Sequence, residues 1–460
     1  MILYAPKQFI NLKEIYWMTI KKRYRDKKGN YLHKKAKKYI PGGNSLLSKR
    51  REMFAPDIWP SFFDSAKGIK VKDLSGNYYK DFSHFAVGTN SLGYGNKQVD
   101  YAVKNCIQKG NMSTLNPPEE VLLAEKLVKM HPWSSMARFA RTGGEANSIA
   151  IRIARAFTKK SVIAFCGYHG WHDWYLSANL RDKKNLDKQL LSGLSTSGVP
   201  RELESTSIPF FEGELNKLEH ILKTKKVAAI KMEVMRSKKP SKKYLKDIRY
   251  LANKYNSLLI FDECTSGFRE SFGGLHLNYN INPDILVLGK ALGNGYAITS
   301  VIGKKEIMDF SQSTFISSTF FTERIGFVAA LETLKEMKKI RSWEKISSTG
   351  LSFKNLLSSL FKKYDLNLKI SGMDALVSYN LEHNEAIEAK TFMSQEMLKY
   401  GFLSSNLFYP STAHKEDDLK EFFYYLEKVV IKIKEIKEKK AKLADYLDGP
   451  KSHTTFQRLN

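Results

Sequence analysis

Three short stretches of this sequence hold residues whose types and spacing suit one kind of chemistry. In "RFARTGGEANSIAIRIARAF", Thr142, Gly143 and Gly144 stand between a strand-like run and a strongly helical one. Paired glycines let the backbone approach a ligand closely, and the free amides that open a helix favour an anion such as a phosphate. The stretch has neither the lysine of a nucleotide-binding P-loop nor the spacing of a dinucleotide fingerprint. In "SLLIFDECTSGFR", Asp262 closes an apolar run, where a carboxylate is expensive unless a cation or donors meet it. Glu263 follows it and should point the other way. In "PDILVLGKAL", Lys290 follows the apolar run Ile285, Leu286, Val287 and Leu288 across one glycine. A lysine there either lets its long stem carry the ammonium out to water or is held for covalent work.

Each feature alone has a structural explanation: a helix start, a salt bridge, a snorkelling side chain. Together they supply what pyridoxal phosphate needs. Lys290 would form a Schiff base with the aldehyde, which replaces a costly buried ammonium by a delocalised iminium. Asp262 would pair with the ring nitrogen and keep it protonated, so that the ring acts as an electron sink. The Thr142–Gly144 cradle would fix the phosphate. A burial-lowered proton affinity would also suit a free Lys290 to moving protons between substrate carbons.

The surrounding pattern says how such residues are positioned. From about residue 97 to residue 340, strand-like runs ("ARFAR", "SVIAFC", "VAAIKMEV", "SLLIFD", "DILVLG", "ITSVIG") alternate with helix-like ones ("PPEEVLLAEKLVKM", "GEANSIAIRIARAFTKK", "YLKDIRYLANKYN"). That alternation predicts an α/β fold with a mostly parallel sheet covered by helices, and ligands collect beyond the carboxyl ends of such strands. Residues 97–340 are thus expected to form one large domain. Residues 36–96, with a hairpin signal at Gly76-Asn77, and 341–440, with "LKISGMDALVSYNL" as an alternating strand, are expected to form a smaller α+β domain from both chain ends. Residues 1–35 read as a basic extension and 441–460 as a polar surface tail.

The bulk properties set limits. With 42% apolar and 27% charged residues, the 460-residue chain has the composition of a folded globular protein. Its net charge of +28, from 75 Lys and Arg against 47 Asp and Glu, invites a polyanionic partner. The basic residues are spread along the chain, however, and "KIKEIKEKKAK" interleaves Glu with Lys as an exposed helix does. The charge is therefore read as solvated helix faces, with no nucleic-acid partner expected. Cys106, Cys166 and Cys264 are too widely separated for a metal or disulfide framework, so no metal and a reducing, cytoplasmic setting are expected. "MILYAPKQFINLKEIYWM" does not read as a signal peptide, and no apolar run approaches a membrane span.

The stretches "IPGGNS", "LSGNYYKDF", "LGYGNKQV", "RTGGEANSIAIRIARA", "GYHGWHDW", "IFDECTSGFR", "LGKALGNGY" and "SSTFFTERIG", in this order, resemble the class-III aminotransferases, and among them the glutamate-1-semialdehyde aminomutase-like branch. The resemblance covers about residues 38 to 440. It implies a fold-type-I pyridoxal phosphate enzyme that is usually a homodimer with active sites at the subunit interface. Carried over by position, Thr142, Gly143 and Gly144 would hold the phosphate and Tyr168 would stack on one ring face. Cys264 would pack as a small hydrophobe on the other face. His169 would be a second contact or, as preferred here, a structural hydrogen bonder. Thr319 would reach the phosphate of the neighbouring subunit, and Glu233 would lie near the cofactor.

Ser45, Ser48 and Val87 fall where substrate would bind. The branch's carboxylate-gripping arginine is replaced near Ser48, with Lys49 and Arg50 displaced from its register. An expected aromatic is replaced by Val87. These departures argue against glutamate-1-semialdehyde. The implied reaction transfers an amino group from a small-molecule donor to a keto or aldehyde acceptor, with a ketosugar or related carbonyl compound as the expected class. An intramolecular aminomutase with the same machinery stays open beside it.

Overall fold

The computed structural model describes residues 26–189, 192–235, 238–382 and 384–454. The apolar runs of the central segment become a seven-stranded sheet in the order Met136–Ala140, Thr299–Gly303, Ile285–Leu288, Leu258–Glu263, Val227–Glu233, Val162–Cys166, Ser207–Pro209. The strands from Ile285–Leu288 to the Ser207–Pro209 edge pair in parallel. Thr299–Gly303 runs antiparallel to both of its neighbours, which leaves Met136–Ala140 pointing the same way as the parallel set. The short edge strand Ser207–Pro209 has too little apolar character to be read from sequence. Side chains alternate between two cores: Ile230, Leu259, Phe261, Leu286 and Leu288 pack on one face, and Ala229, Leu258, Ile260, Ile285 and Val287 on the other. Covering both faces is why these strands are apolar throughout.

The Gly143–Thr158 helix packs on the second of these faces. Its start is fixed by a capping box, in which Thr142 Oγ1 accepts from the Glu145 amide and the Glu145 carboxylate accepts from the Thr142 amide. The Lys242–Lys254 helix leads into the Leu258–Glu263 strand, as its periodicity predicts.

Both chain ends meet in another core. Ile69, Phe82 and Phe85 pack with Phe353, Tyr379, Phe408 and Phe422. Lys70–Asp73 and Tyr78–Phe82 form the expected antiparallel hairpin, and Phe402–Ser404 joins it in parallel. One reading changes. "LKISGMDALVSYNL" is not one strand but two, Leu368–Ser371 and Val377–Leu381, paired antiparallel. Gly372 makes the reversal at φ 84°, where an added Cβ would sit 2.2 Å from the Leu376 carbonyl oxygen. The expected surface tail is anchored at one point within its described part. Ser452 is buried and its amide donates to Thr391 Oγ1, while the His453 amide donates to the Glu52 carbonyl. Residues 1–25 and 455–460, which contain most of the basic extension and the last part of the tail, lie outside the described residues.

Candidate active site

Thr142, Asp262 and Lys290 all emerge at the carboxyl edge of the large sheet, after or at the ends of Met136–Ala140, Leu258–Glu263 and Ile285–Leu288. The three sequence candidates thus lie along one edge of the sheet. Glu263 points to the opposite face, where its carboxylate accepts from the His276 amide and from His276 Nδ1 at 2.6 Å.

Asp262 is buried among donors. His169 Nδ1 lies 2.8 Å from Asp262 Oδ2, and the Cys264 amide donates to Oδ1 at 3.1 Å. Lys231 Nζ stands 3.8 Å from the same Oδ2. Burial by itself would raise the proton affinity of this carboxyl, but the Lys231 charge and the His169 hydrogen bond outweigh it and hold Asp262 well below the ordinary carboxylate range. His169 and Asp262 are thus hydrogen-bonded partners. The His169 pKa is lowered by burial and by Lys231.

Lys290 is half-buried at φ 41°, a left-handed backbone that a lysine adopts only under constraint. Its Nζ donates to Thr265 Oγ1 at 2.8 Å. Cys264 is buried with its sulfur near both glycines that flank the site, since a Cβ on Gly143 would lie 3.4 Å and one on Gly289 3.2 Å from Sγ. Burial, with the Asp262 charge behind it, pushes this thiol well above its ordinary range, and the side chain packs in an apolar cluster.

The cradle fits a phosphate group. Gly143 and Gly144 head a 16-residue helix, so their amides have no acceptor within it. Space there exists only because side chains are absent: a Cβ on Gly144 would meet His172 Nε2 at 3.1 Å, and one on Gly170 (φ 106°) would meet the Gly144 Cα at 3.2 Å. Donors for an anion, an acceptor oxygen for a ring N–H and a primary amine are the set that pyridoxal phosphate requires. Thr142 itself is committed to the cap, with Oγ1 3.2 Å from the Glu145 carboxylate.

Tyr168 and Glu233 are linked, because the Tyr168 amide donates to Glu233 Oε2 at 3.0 Å. Glu233 thereby supports the backbone that presents the Tyr168 ring. Thr319 is exposed, in a turn (Thr319–Thr322) gripped by Arg141, which donates to the carbonyls of Phe320, Phe321 and Glu323.

The expected substrate residues are brought together only in part. His84 Nε2 lies 3.1 Å from the Ser48 carbonyl, and the Val87 amide donates to His84 Nδ1 at 3.2 Å. One imidazole thus staples the Ser48 loop to Val87, and burial, the largest influence on it, keeps the ring neutral as this donor–acceptor pattern requires. Ser45 stays exposed on the preceding loop. Lys49 is exposed too, whereas Arg50 is buried beside Gly42 and Glu52.

Phe85, Ala86, Val87 and Gly88 are consecutively left-handed, at φ 43°, 50°, 58° and 74°. For three non-glycine residues this costs about 1–2 kcal/mol each, so the surroundings must impose the turn. Arg269 does so from the other side: buried, it donates through Nε to the Thr265 carbonyl at 2.6 Å and through Nη2 to the Gly88 carbonyl. Sequence reasoning missed His84, Lys231, Thr265 and Arg269 as site residues. Only Lys231 carried a signal, as a lone charge inside an apolar strand.

Comparisons with known proteins identify the family. The sequence pattern of the aminotransferase class-III family matches residues 55–429. The chain is 34% identical over 365 residues to 3-aminobutyryl-CoA aminotransferase of Cloacimonas acidaminovorans (strain Evry), covering 77% of this chain and 84% of that protein. It is 31% identical over 419 residues to glutamate-1-semialdehyde 2,1-aminomutase of Thermodesulfovibrio yellowstonii, covering 86% of this chain and 96% of that protein. Among solved structures, a transaminase with PLP bound superposes with a TM-score of 0.77 at 22% identity, covering 89% of this chain and 99% of the other. A glutamate-1-semialdehyde aminomutase from Pseudomonas aeruginosa PAO1 superposes with 0.76 at 16% identity, covering 91% and 98%. The chain belongs to the class-III aminotransferases, a fold-type-I family, and pyridoxal phosphate is its cofactor.

Proposed function

We propose that Lys290 and Asp262 carry the reaction of this aminotransferase, which moves an amino group from a small-molecule donor to a keto or aldehyde acceptor. The single observation behind this is their convergence with the Gly143–Thr158 helix start at one sheet edge. When bound, pyridoxal phosphate supplies an aldehyde that takes up amines and a ring that stores the electron pair released at the substrate carbon. Lys290 Nζ, held by Thr265 Oγ1, is the amine that would anchor the cofactor and serve as the base toward the donor carbon. Asp262 Oδ1 would accept the ring N–H, while His169 fixes the other oxygen. Gly143 and Gly144 bind the phosphate through their amides. Tyr168 and Cys264 would offer the apolar surfaces on either side of the ring.

The acceptor pocket is assigned to Ser48, Val87 and the left-handed turn. No arginine stands in the Ser48 position, which supports an acceptor without a carboxylate there, since carboxylate recognition favours a bidentate guanidinium. The relatives named as aminomutases support the intramolecular reaction as the second reading. Stoichiometry separates the two. With a donor and a carbonyl acceptor supplied separately, one keto product should appear for each amine formed. Isomerisation of a single amino-carbonyl compound, with no second donor and no keto product, would overturn the transaminase reading.

A homodimer is supported by the surface around Thr319. Phe315 is 91% exposed and Phe320 63%, and Leu115 is 79% exposed. Large apolar side chains left in water, two of them within six residues of each other in sequence, suit an interaction surface. Sedimentation of the full chain at micromolar concentration should give twice the mass of 52.7 kDa, and a fully active monomer would refute the shared-site arrangement. The three cysteines form no disulfide, which suits the reducing cytoplasm, and cell fractionation can check this. Among the described residues, no helix is long and apolar enough to cross a membrane.

A further inference from the structure

The Val227–Glu233 strand is buried at every position, yet its fifth residue is Lys231, whose side chain is wholly excluded from solvent. A buried ammonium without a counter-charge is strongly disfavoured, so this lysine must be answered by its surroundings. Its Nζ donates to Asn147 Oδ1 at 2.8 Å, and Asn147 in turn donates through Nδ2 to the His169 carbonyl at 3.1 Å. The same Nζ stands 3.8 Å from Asp262 Oδ2, the oxygen that His169 Nδ1 also engages. Asp262 Oδ1 accepts the Cys264 amide on its far side. The titratable groups facing Lys231 are Asp262, Glu233, His169 and the Cys264 thiol.

We infer that Lys231 is a positioning residue for Asp262, a built-in counter-ion that occupies Oδ2 together with His169, leaves Oδ1 to the cofactor ring nitrogen and limits how tightly the carboxylate can hold a proton there. The inference rests on the assignment of Asp262 to the ring nitrogen. A cation this close weakens the attraction of Asp262 for any proton. The carboxylate therefore grips the ring N–H less strongly than an aspartate without such a neighbour would. It also stays ionised when the cofactor leaves, so the apoprotein keeps a ready acceptor for reloading.

Two full-length variants test this. Lys231→Gln keeps a hydrogen bond to Asn147 and loses the charge, while Lys231→Met loses both. In the apoprotein, the midpoint of the His169 ring titration, read by NMR with nitrogen-labelled histidine, should rise in both variants. In the cofactor-loaded protein, the pH midpoint of the visible absorption change should move upward by about one unit. Should Lys231→Met fail to fold, Lys231→Gln still gives both readings. Folded variants whose two midpoints match the wild type would overturn the inference and leave Lys231 as packing alone. Failure of the wild-type chain to take up cofactor would instead refute the site itself.

Discussion

Lys290→Ala is expected to cut turnover by ~10⁴-fold or more, the upper range of what a positioned acid–base group contributes, because this change also removes the covalent anchor. The fold should survive. Lys290 is half-buried, its Nζ bonds to a hydroxyl, Thr265 Oγ1, and alanine meets the same left-handed backbone at φ 41° with no greater strain. The unfolding free energy should therefore stay within the range of an ordinary surface change, about ±0.5 kcal/mol. The sharper measurement is location. Borohydride should fix the coenzyme covalently, and digestion with mass spectrometry should place it on the Lys290 peptide and find none in the variant. Lys231 is the instructive alternative, since it is the other buried lysine beside Asp262. Its amine is sealed in the Val227–Glu233 strand and bonded to Asn147, whereas Lys290 is half-buried just beyond the Ile285–Leu288 strand end. An adduct on Lys231, or full turnover by Lys290→Ala, would end the assignment.

Much of this arrangement is legible in the sequence, because the signals are local. A run such as Leu258–Phe261 ending in Asp262 declares both a buried strand and a polar residue at its end. The run before Lys290 does the same. Glycines that open a helix are equally local. What escapes is whatever depends on contacts between distant segments. His84 ties Ser48 to Val87 across 36 residues, and Arg269 reaches Gly88 across 181. No spacing rule encodes such pairs. The left-handed run at Phe85–Gly88 was hidden for a related reason: only one of its four residues is a glycine, so the conformation is imposed by His84 and Arg269 and not by intrinsic preference. The two strands on either side of Gly372 were merged because their alternation is continuous in sequence, and only the fit of the glycine against Leu376 breaks it. Ser452 and His453 look like tail residues by composition, and are held by backbone hydrogen bonds that composition does not report.

The roles of Lys231 and His169 converge on the second large effect, that of Asp262→Asn. Asparagine preserves size and can still accept the Cys264 amide, so the change isolates charge. Loss of the carboxylate should lower turnover by ~10²–10³-fold, the usual effect of removing one preorganised electrostatic contact, and should weaken cofactor retention. It should also destabilise the fold by about 3–5 kcal/mol, because Lys231 is left as a buried cation without its anion. The pH dependence follows from the direction of the shift. Burial would raise the Asp262 pKa, but Lys231 and His169 hold it below its unfolded value of about 3.9. The stabilisation is thus fully present above that value and is lost as pH falls through it toward the folded value. The stability gap between wild type and Asp262→Asn, measured by denaturant unfolding, should be constant from about pH 8 to 5 and should narrow below about pH 4. A variant that keeps wild-type turnover and cofactor retention, or a gap that widens on acidification, would show that Asp262 is neither the partner of the ring nitrogen nor the anion that Lys231 needs.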